Sequence, residues 1–224
     1  MKALAIDSSS NFLTVAAIND NLSCSMTLDC GIKQVEFFLT MIQNVLSQIN
    51  LEAKDLEFTC LAKGPGSFTG LRLGFATLKA LETANGTKIY GVPTLEALAQ
   101  NFLFWNEILI TCLDAKRNRF YVNIYDNGKI LHGPLDIDDK EILEKFDIEK
   151  KILLVGSGAN LLKDKLKKNH SNLWIECLPV ASNNGFSLIN LAKKMNDNGI
   201  KPLESYEGPY YIRDEHGNVP SIKE

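Results

Sequence analysis

Apolar positions along this chain fall into short runs separated by turn residues, and into longer stretches of helical spacing. Lys2–Asp7 is an apolar run that ends in an acid. Phe12–Asn19 and Leu22–Leu28 are β-rich segments joined through the turn composition Asn19-Asp20-Asn21. Lys33–Ile49 then has Val35, Phe38, Leu39, Ile42, Val45, Leu46 and Ile49 at helical spacing, which predicts a helix with those residues as its core stripe. A strand at Phe58–Ala62, a helix at Gly70–Ala84, a strand at Lys88–Val92 and a helix at Thr94–Phe104 close the first half.

The order begins again in the second half. Glu107–Leu113 is apolar and runs into Asp114. Arg119–Tyr125 is a strand, Asp126-Asn127-Gly128 a hairpin turn, and Lys129–His132 the start of a third strand. Asp138–Phe146 reads as helical. Lys151–Val155 is a strand leading through Gly156-Ser157-Gly158 into a Lys-rich helix that ends near Lys168. The pattern β-β-β-α-β-α thus occurs twice, with an acid after each first strand and a glycine turn after each later one. Strands interleaved with helices predict an α/β fold of two mixed sheets, each covered by helices. The lobes are expected at 1–104 and 105–224, with the helix Asn184–Asn196 and the tail free to cross back.

The most distinctive segment is the turn Gly64, Pro65, Gly66, Ser67, Phe68, Thr69, Gly70 between a strand and a helix. Gly64 and Gly66 permit backbone angles that a Cβ disfavours, Pro65 stiffens the turn, and Ser67 or Thr69 can cap the helix. Free N–H groups and the helix dipole make such a turn friendly to anions. It lacks the spacing of a nucleotide P-loop or a dinucleotide fingerprint. Asp7, Ser8 and Ser9 could place a carboxylate and hydroxyls beside a phosphate, as a vestigial anion site, although a carboxylate satisfying turn N–H groups is the preferred reading. Asp114, with Lys116, Arg117 and Arg119 beside it, carries the same two readings, and there a solvated hairpin is preferred.

The string GPGSFTGLRLG from Gly64 to Gly74, followed by Gly91-Val92-Pro93-Thr94-Leu95-Glu96-Ala97-Leu98-Ala99, resembles the TsaB (YeaZ-type) family. Leu4-Ala5-Ile6-Asp7-Ser8-Ser9, Leu113-Asp114-Ala115-Lys116-Arg117, Val155-Gly156-Ser157-Gly158-Ala159 and Pro209-Tyr210-Tyr211-Ile212-Arg213 fit in the same order. The resemblance implies two ribonuclease-H-like lobes of the actin/sugar-kinase/Hsp70 superfold. It also implies a non-catalytic subunit that pairs with a TsaD-like catalytic subunit and a TsaE-like ATPase to place threonylcarbamoyl on an adenosine of tRNA next to the anticodon. The TsaD family carries H-x-x-x-H metal ligands where this chain has Thr94 and Leu98. Leucine cannot ligate a metal, so the resemblance places metal and ATP on partner subunits and no cofactor or catalytic residue on this chain. Family members often have His-Ser-Glu at the start of the first helix; here Lys33-Gln34-Val35-Glu36 stands there, and only Glu36 could match.

Composition narrows the alternatives. A net charge of −3 advertises no general affinity for nucleic acid, so RNA is expected through the complex. Cys24, Cys30, Cys60, Cys112 and Cys177 are odd in number, lack C-x-x-C spacing, and suit reduced thiols in the cytoplasm. No apolar run reaches the ~18 residues of a membrane span, and no signal-peptide core opens the chain. His132, His170 and His216 are scattered among polar residues and read as surface groups.

The helices carry more apolar surface than one sheet requires. On Gly70–Ala84, Leu71, Gly74, Phe75, Leu78 and Leu81 form one face, and Leu73, Ala76, Thr77, Ala80 and Ala84 a second. Phe37 and Met41 lie off the expected core stripe of the first helix. The expected partner-binding set is therefore Phe37, Met41, Arg72, Leu73, Ala76, Thr77 and Ala80, serving a TsaD-like subunit or a homodimer. The rival readings are a small-molecule kinase or glycoprotease-like hydrolase of the same superfold, and a stand-alone homodimer with another partner.

Overall fold

The computed structural model describes residues 1–178 and 184–213. The chain divides into two compact units, Met1–Ala97 with Asn183–Tyr211, and Leu98–Ser182 with Ile212–Glu224.

The first unit is a five-stranded mixed sheet. β1 (Lys2–Asp7), β2 (Phe12–Asn19) and β3 (Leu22–Asp29) form an antiparallel meander, and β4 (Phe58–Gly64) and β5 (Lys88–Pro93) add parallel to β1. The order is β3-β2-β1-β4-β5. β1 is an unbroken apolar run because both of its faces are covered. Leu4 and Ile6 face α1 (Gln34–Gln48) and α2 (Phe68–Asn85). Ala3 and Ala5 face the other way, among Leu188, Ile189 and Ala192 of a later helix, Gly185–Asp197. That helix lies on β1, β2, β4 and β5 of the first unit. Beyond it, residues 200–210 cover the β5 edge: Leu203 N–H donates to Ile89 O (2.8 Å), and Tyr210 N–H to Lys63 O of β4 (2.7 Å).

α3 (Thr94–Ala99) ends five residues before the expected Phe104, in a 3-10 turn over Gln100–Phe102. The second unit repeats the plan of the first. β6 (Ile108–Asp114), β7 (Phe120–Asp126) and β8 (Lys129–Ile137) are antiparallel; β9 (Ile152–Val155) is parallel to β6, and β10 (Ile175–Leu178) to β9. The order is β10-β9-β6-β7-β8. Ile108, Ile110, Cys112, Val122 and Ile124 pack under α4 (Asp139–Leu143) and α5 (Ala159–Asn169) through Ile142, Leu162 and Leu166. The helix Gly185–Asp197 is α6 in chain order. Among the described residues, no helix is long and apolar enough to cross a membrane.

Candidate functional site

The end of β1 and the start of α2 meet so closely that the intervening loops touch by backbone. Both oxygens of Asp7 are occupied: Oδ1 accepts from Ser9 N–H (2.8 Å) and Oδ2 from the Asn184 side-chain amide of α6's N-cap (2.5 Å). Asp7 is 8% exposed, and Ser8 and Ser9 are buried. Ser8 Oγ donates to Gly70 O (2.8 Å), and Ser67 N–H donates to Ser9 O (2.6 Å). Ser67 caps α2 by accepting from Gly70 N–H (3.3 Å). Thr69 is exposed beside it.

The glycines stand where side chains have no room. A Cβ on Gly66 would lie 2.5 Å from Ser9 O, and one on Gly70 would run into Ser8 O. Gly64 has φ +118°, and its Cβ would strike Tyr210 O. Pro65 follows it, buried, through a cis peptide bond. Gln34, at the start of α1, is buried and donates to Ser10 O (2.5 Å). Asp7, Ser8 and Ser9, the candidate vestigial anion site whose preferred reading is a carboxylate satisfying turn N–H groups, are engaged in pinning this junction.

The turn also fixes the position where metal ligands were in question. Thr94 is fully buried, and its Oγ1 accepts from Gly64 N–H (3.1 Å). Leu98 is buried. Neither offers a lone pair to an open cavity. His132 lies on β8, His170 closes α5, and His216 lies outside the described residues. All five cysteines are free; burial pushes the thiols of Cys60 and Cys112 far up, away from thiolate chemistry.

The surface side of α1 differs from expectation. Gln34, Phe38, Met41, Ile42, Val45 and Leu46 face the sheet. Met41 is only 5% exposed and packs in the core, so it leaves the partner-binding set. Val35 and Leu39, expected in the core, are 64% and 66% exposed, one turn apart; Ile32 just before them is 98% exposed. The cause is Gln34. Turning its amide inward to the carbonyl of Ser10 rotates the helix away from Val35 and Leu39. Phe37 is exposed on the opposite flank from Leu39, as two residues' separation requires.

On α2 the buried set is Gly70, Leu71, Gly74, Phe75 and Leu78. Ala76 and Ala80 are exposed, and Leu73 and Thr77 half-buried, with Thr77 Oγ1 donating to Leu73 O (2.9 Å). Arg72 is exposed, stacks on Phe68 at 3.8 Å from the ring centroid, and donates from Nε to Tyr211 Oη (3.2 Å). Phe68 and Tyr211 pack with their centroids 5.1 Å apart. Sequence reading singled out Arg72 but missed its aromatic seat, because Tyr211 arrives from the far end of the chain. Gly74 has its close neighbour within the chain: a Cβ there would meet Ser8 Oγ at 3.0 Å.

The model of the TsaD family, described as tRNA N6-adenosine threonylcarbamoyltransferase, matches residues 33–197. The chain belongs to this family, as a TsaB/YeaZ-type member. The tRNA threonylcarbamoyladenosine biosynthesis protein TsaB of Buchnera aphidicola subsp. Schizaphis graminum is 28% identical over 170 residues, covering 71% of this chain and 80% of that protein. TsaB of Bacillus subtilis is 27% identical over 175 residues, covering 75% and 76%. Among solved structures, YeaZ from Pseudomonas aeruginosa superimposes with a TM-score of 0.73 at 19% identity, over 94% of this chain and 99% of that one. A Bacteroides thetaiotaomicron protein with an actin-like ATPase fold gives 0.51 at 13% identity, over 84% and 95%. These likenesses establish the two-lobed actin-like α/β fold. This TsaB-type chain keeps the fold while its glycine turn is closed by its own backbone.

Proposed function

We propose that this chain serves tRNA threonylcarbamoyladenosine biosynthesis as a non-catalytic subunit, pairing through the outer faces of α1 and α2 with a TsaD-like catalytic subunit in the cytoplasm. The observation that carries the reading is the outer face of α2. Thr69, Ala76, Thr77 and Ala80 present small, uncharged side chains, with Leu73 half-buried on the same face, where a solvent-facing helix ordinarily carries Lys and Glu. Small residues one turn apart let a facing helix approach closely. Arg72, held on Phe68 and by Tyr211, is the fixed polar anchor of this face, and such preorganised arginines are typical of interface hot spots. Val35 and Leu39 on one flank of α1, and Phe37 on the other, add exposed apolar side chains. Threonine and leucine at 94 and 98 agree with leaving metal and ATP to the TsaD-like and TsaE-like partners, with tRNA engaged by the complex. Without its partner, the same face closes on a second copy.

Ala76→Arg tests the reading. Ala76 is exposed, so the variant melts with the wild type. The added charge, buried unpaired in an interface, costs several kcal/mol, enough to abolish a micromolar association. Sedimentation of the mixture with a TsaD-like subunit reads the binding, and threonylcarbamoyl transfer to tRNA reads the function. Normal melting with undiminished binding and modification removes α2 from the mechanism.

A further inference from the structure

The turn between β6 and β7 holds three consecutive residues other than glycine in the left-handed region: Lys116 at φ 60°, Arg117 at 52° and Asn118 at 68°. Side chains other than Asn and Gly avoid this region, and a run of three persists only where its surroundings impose it. Here they do. Asp114 Oδ1 accepts from Lys116 N–H and Oδ2 from Lys116 Nζ, both at 2.8 Å. Arg119 N–H donates to Lys116 O, and Ala115 N–H to Arg119 O, both at 3.0 Å. Arg213 donates to Ala115 O (3.0 Å). Lys165 of α5 donates from Nζ to Asn118 Oδ1, which ties the turn to the helix. Every neighbour of Arg117 is thus engaged. Arg117 itself stands exposed at the apex with no hydrogen-bond or ion-pair partner among the described residues.

α5 continues this charge. Lys163, Lys165, Lys167 and Lys168 oppose one acid, Asp164. Lys167 is spent on Ser171 O and Leu173 O, whereas Lys163 and Lys168 have no hydrogen-bond or ion-pair partner among the described residues. Lys168 lies one turn beyond Lys165 on the same flank of α5, and Lys165 in turn holds Asn118, the residue after Arg117. Of the helix's own apolar residues, Leu161 alone is strongly exposed. Lysine-rich surface without aromatic anchors is poor protein interface and good phosphate surface. α4, which packs on α5, carries Asp139 beside Asn169, so the excess belongs to α5 and the turn themselves.

We infer that the β6–β7 turn and α5 form a contact site for the phosphodiester backbone of RNA, with Arg117 and Lys168 as its free cations. The inference rests on the proposed role in tRNA modification and adds a direct RNA contact by this subunit. The site is sequence-blind: it positions the RNA and reads no bases.

The test titrates a labelled bulk tRNA with the full chain, alone and mixed with a TsaD-like subunit, by fluorescence anisotropy at several salt concentrations. Arg117→Asn keeps a residue tolerant of the left-handed turn, and Lys168→Gln keeps a good helix former. Each is expected to lower the slope of log affinity against log salt by about one, and the pair by roughly two. Lys54→Gln, on an exposed pair with Glu52 in the first unit, leaves the slope unchanged. The inference is overturned if the double variant retains the wild-type slope and affinity, if tRNA is bound in neither state, or if the variants lose a protein partner while keeping tRNA. Partner association, read by sedimentation in parallel, separates the two ideas. An unchanged slope with intact pairing sinks the RNA site alone, and a wild-type chain that never pairs with a TsaD-like subunit, while its own tRNA binding loses slope in the variants, sinks the subunit reading alone.

Discussion

Replacing Gly66 by Ala adds one methyl group at the tightest crossing in the first unit. The new Cβ would lie 2.5 Å from Ser9 O, 2.6 Å from Ser9 Cβ and 2.9 Å from Ser9 Cα. Cβ contacts under 3.0 Å are essentially never seen and ordinary ones begin near 3.4 Å, so the two backbones must separate by at least about 0.5 Å. Ser9 cannot yield freely, because its N–H is held by Asp7 Oδ1 (2.8 Å) and its carbonyl by Ser67 N–H (2.6 Å). Overpacking of this kind costs ~1–3 kcal/mol. A buried hydrogen bond weakened on either side of Ser9 adds ~1–3 kcal/mol. Against this, Ala restricts the unfolded chain and returns roughly 0.4–1 kcal/mol. The balance is a loss of about 2–4 kcal/mol, or roughly 5–15 °C in Tm for a chain of this size. Gly74→Ala is the internal control. Its Cβ would meet the Ser8 hydroxyl at 3.0 Å, which can rotate away from its bond to Gly70 O, and Leu61 Cδ1 at an ordinary 3.9 Å. The gain in helix propensity of roughly 1 kcal/mol offsets that bond, so Gly74→Ala should melt within about 2 °C of the wild type. Differential scanning calorimetry of both variants decides the matter. The reasoning fails if Gly66→Ala melts with the wild type, or if Gly74→Ala loses as much.

Three further outcomes are expected. Met41→Ala should cost about 2–5 kcal/mol in denaturant unfolding, while Val35→Asp and Leu39→Asp stay within about 1 kcal/mol; the reverse ranking would restore the helix register expected from sequence. Asp7→Ala strands the Ser9 amide and the Asn184 side chain, and should lower stability by about 2 kcal/mol without altering pairing with a TsaD-like subunit; a stable variant lacking modification activity would return Asp7 to a chemical role. Asp138 caps α4, and the Glu141 amide foremost, with that of Lys140, holds its carboxyl below the usual range despite some desolvation. Its folded pKa is depressed, so its stabilisation is present above the ordinary carboxylate pKa of about 4 and fades as pH falls through the lower folded value. Asp138→Ala should therefore cost about 1 kcal/mol at neutral pH and converge on the wild type in acid; a difference independent of pH would contradict the cap.

Glycine turns and apolar runs made the doubled topology legible, because both report backbone demands that few other residues meet. The orientation of α1 was not legible. Apolar residues occupy most of its circumference, so periodicity alone could not choose between Val35 and Met41, and the deciding group is polar. Gln34, Phe38, Met41 and Val45 share one face once a buried amide is admitted there, and nothing in the local pattern says that Ser10 needs its donor. β10 was missed because a four-residue edge strand alternating Ile175, Glu176, Cys177 and Leu178 carries little signal. The clasp of Asp136 by Arg119 and Arg213 was missed for a different reason: its partners come from distant parts of the chain.

The two glycine turns also say why the candidate anion site closed in the first unit and what stands at its counterpart. In each unit the helix after the fourth strand must start against the end of the first. Gly66 and Gly70 meet Ser8 and Ser9; Gly156, at φ +117°, meets Cys112 O, and a Cβ on Gly158 would lie 2.9 Å from Asp114 N. The same topology therefore brings an acid, Asp7 or Asp114, to the same place twice. In the first unit the acid's two oxygens go to Ser9 and Asn184, and the loop beyond is serine-rich and buried. In the second, Asp114 holds Lys116, and the loop beyond is basic and exposed, with Arg117 at its tip. One acid seals its loop under α6, while the other braces a left-handed turn that projects a cation into solvent. Such a turn is costly to hold, and the bonds made by Asp114, Lys165 and Arg213 are what hold it.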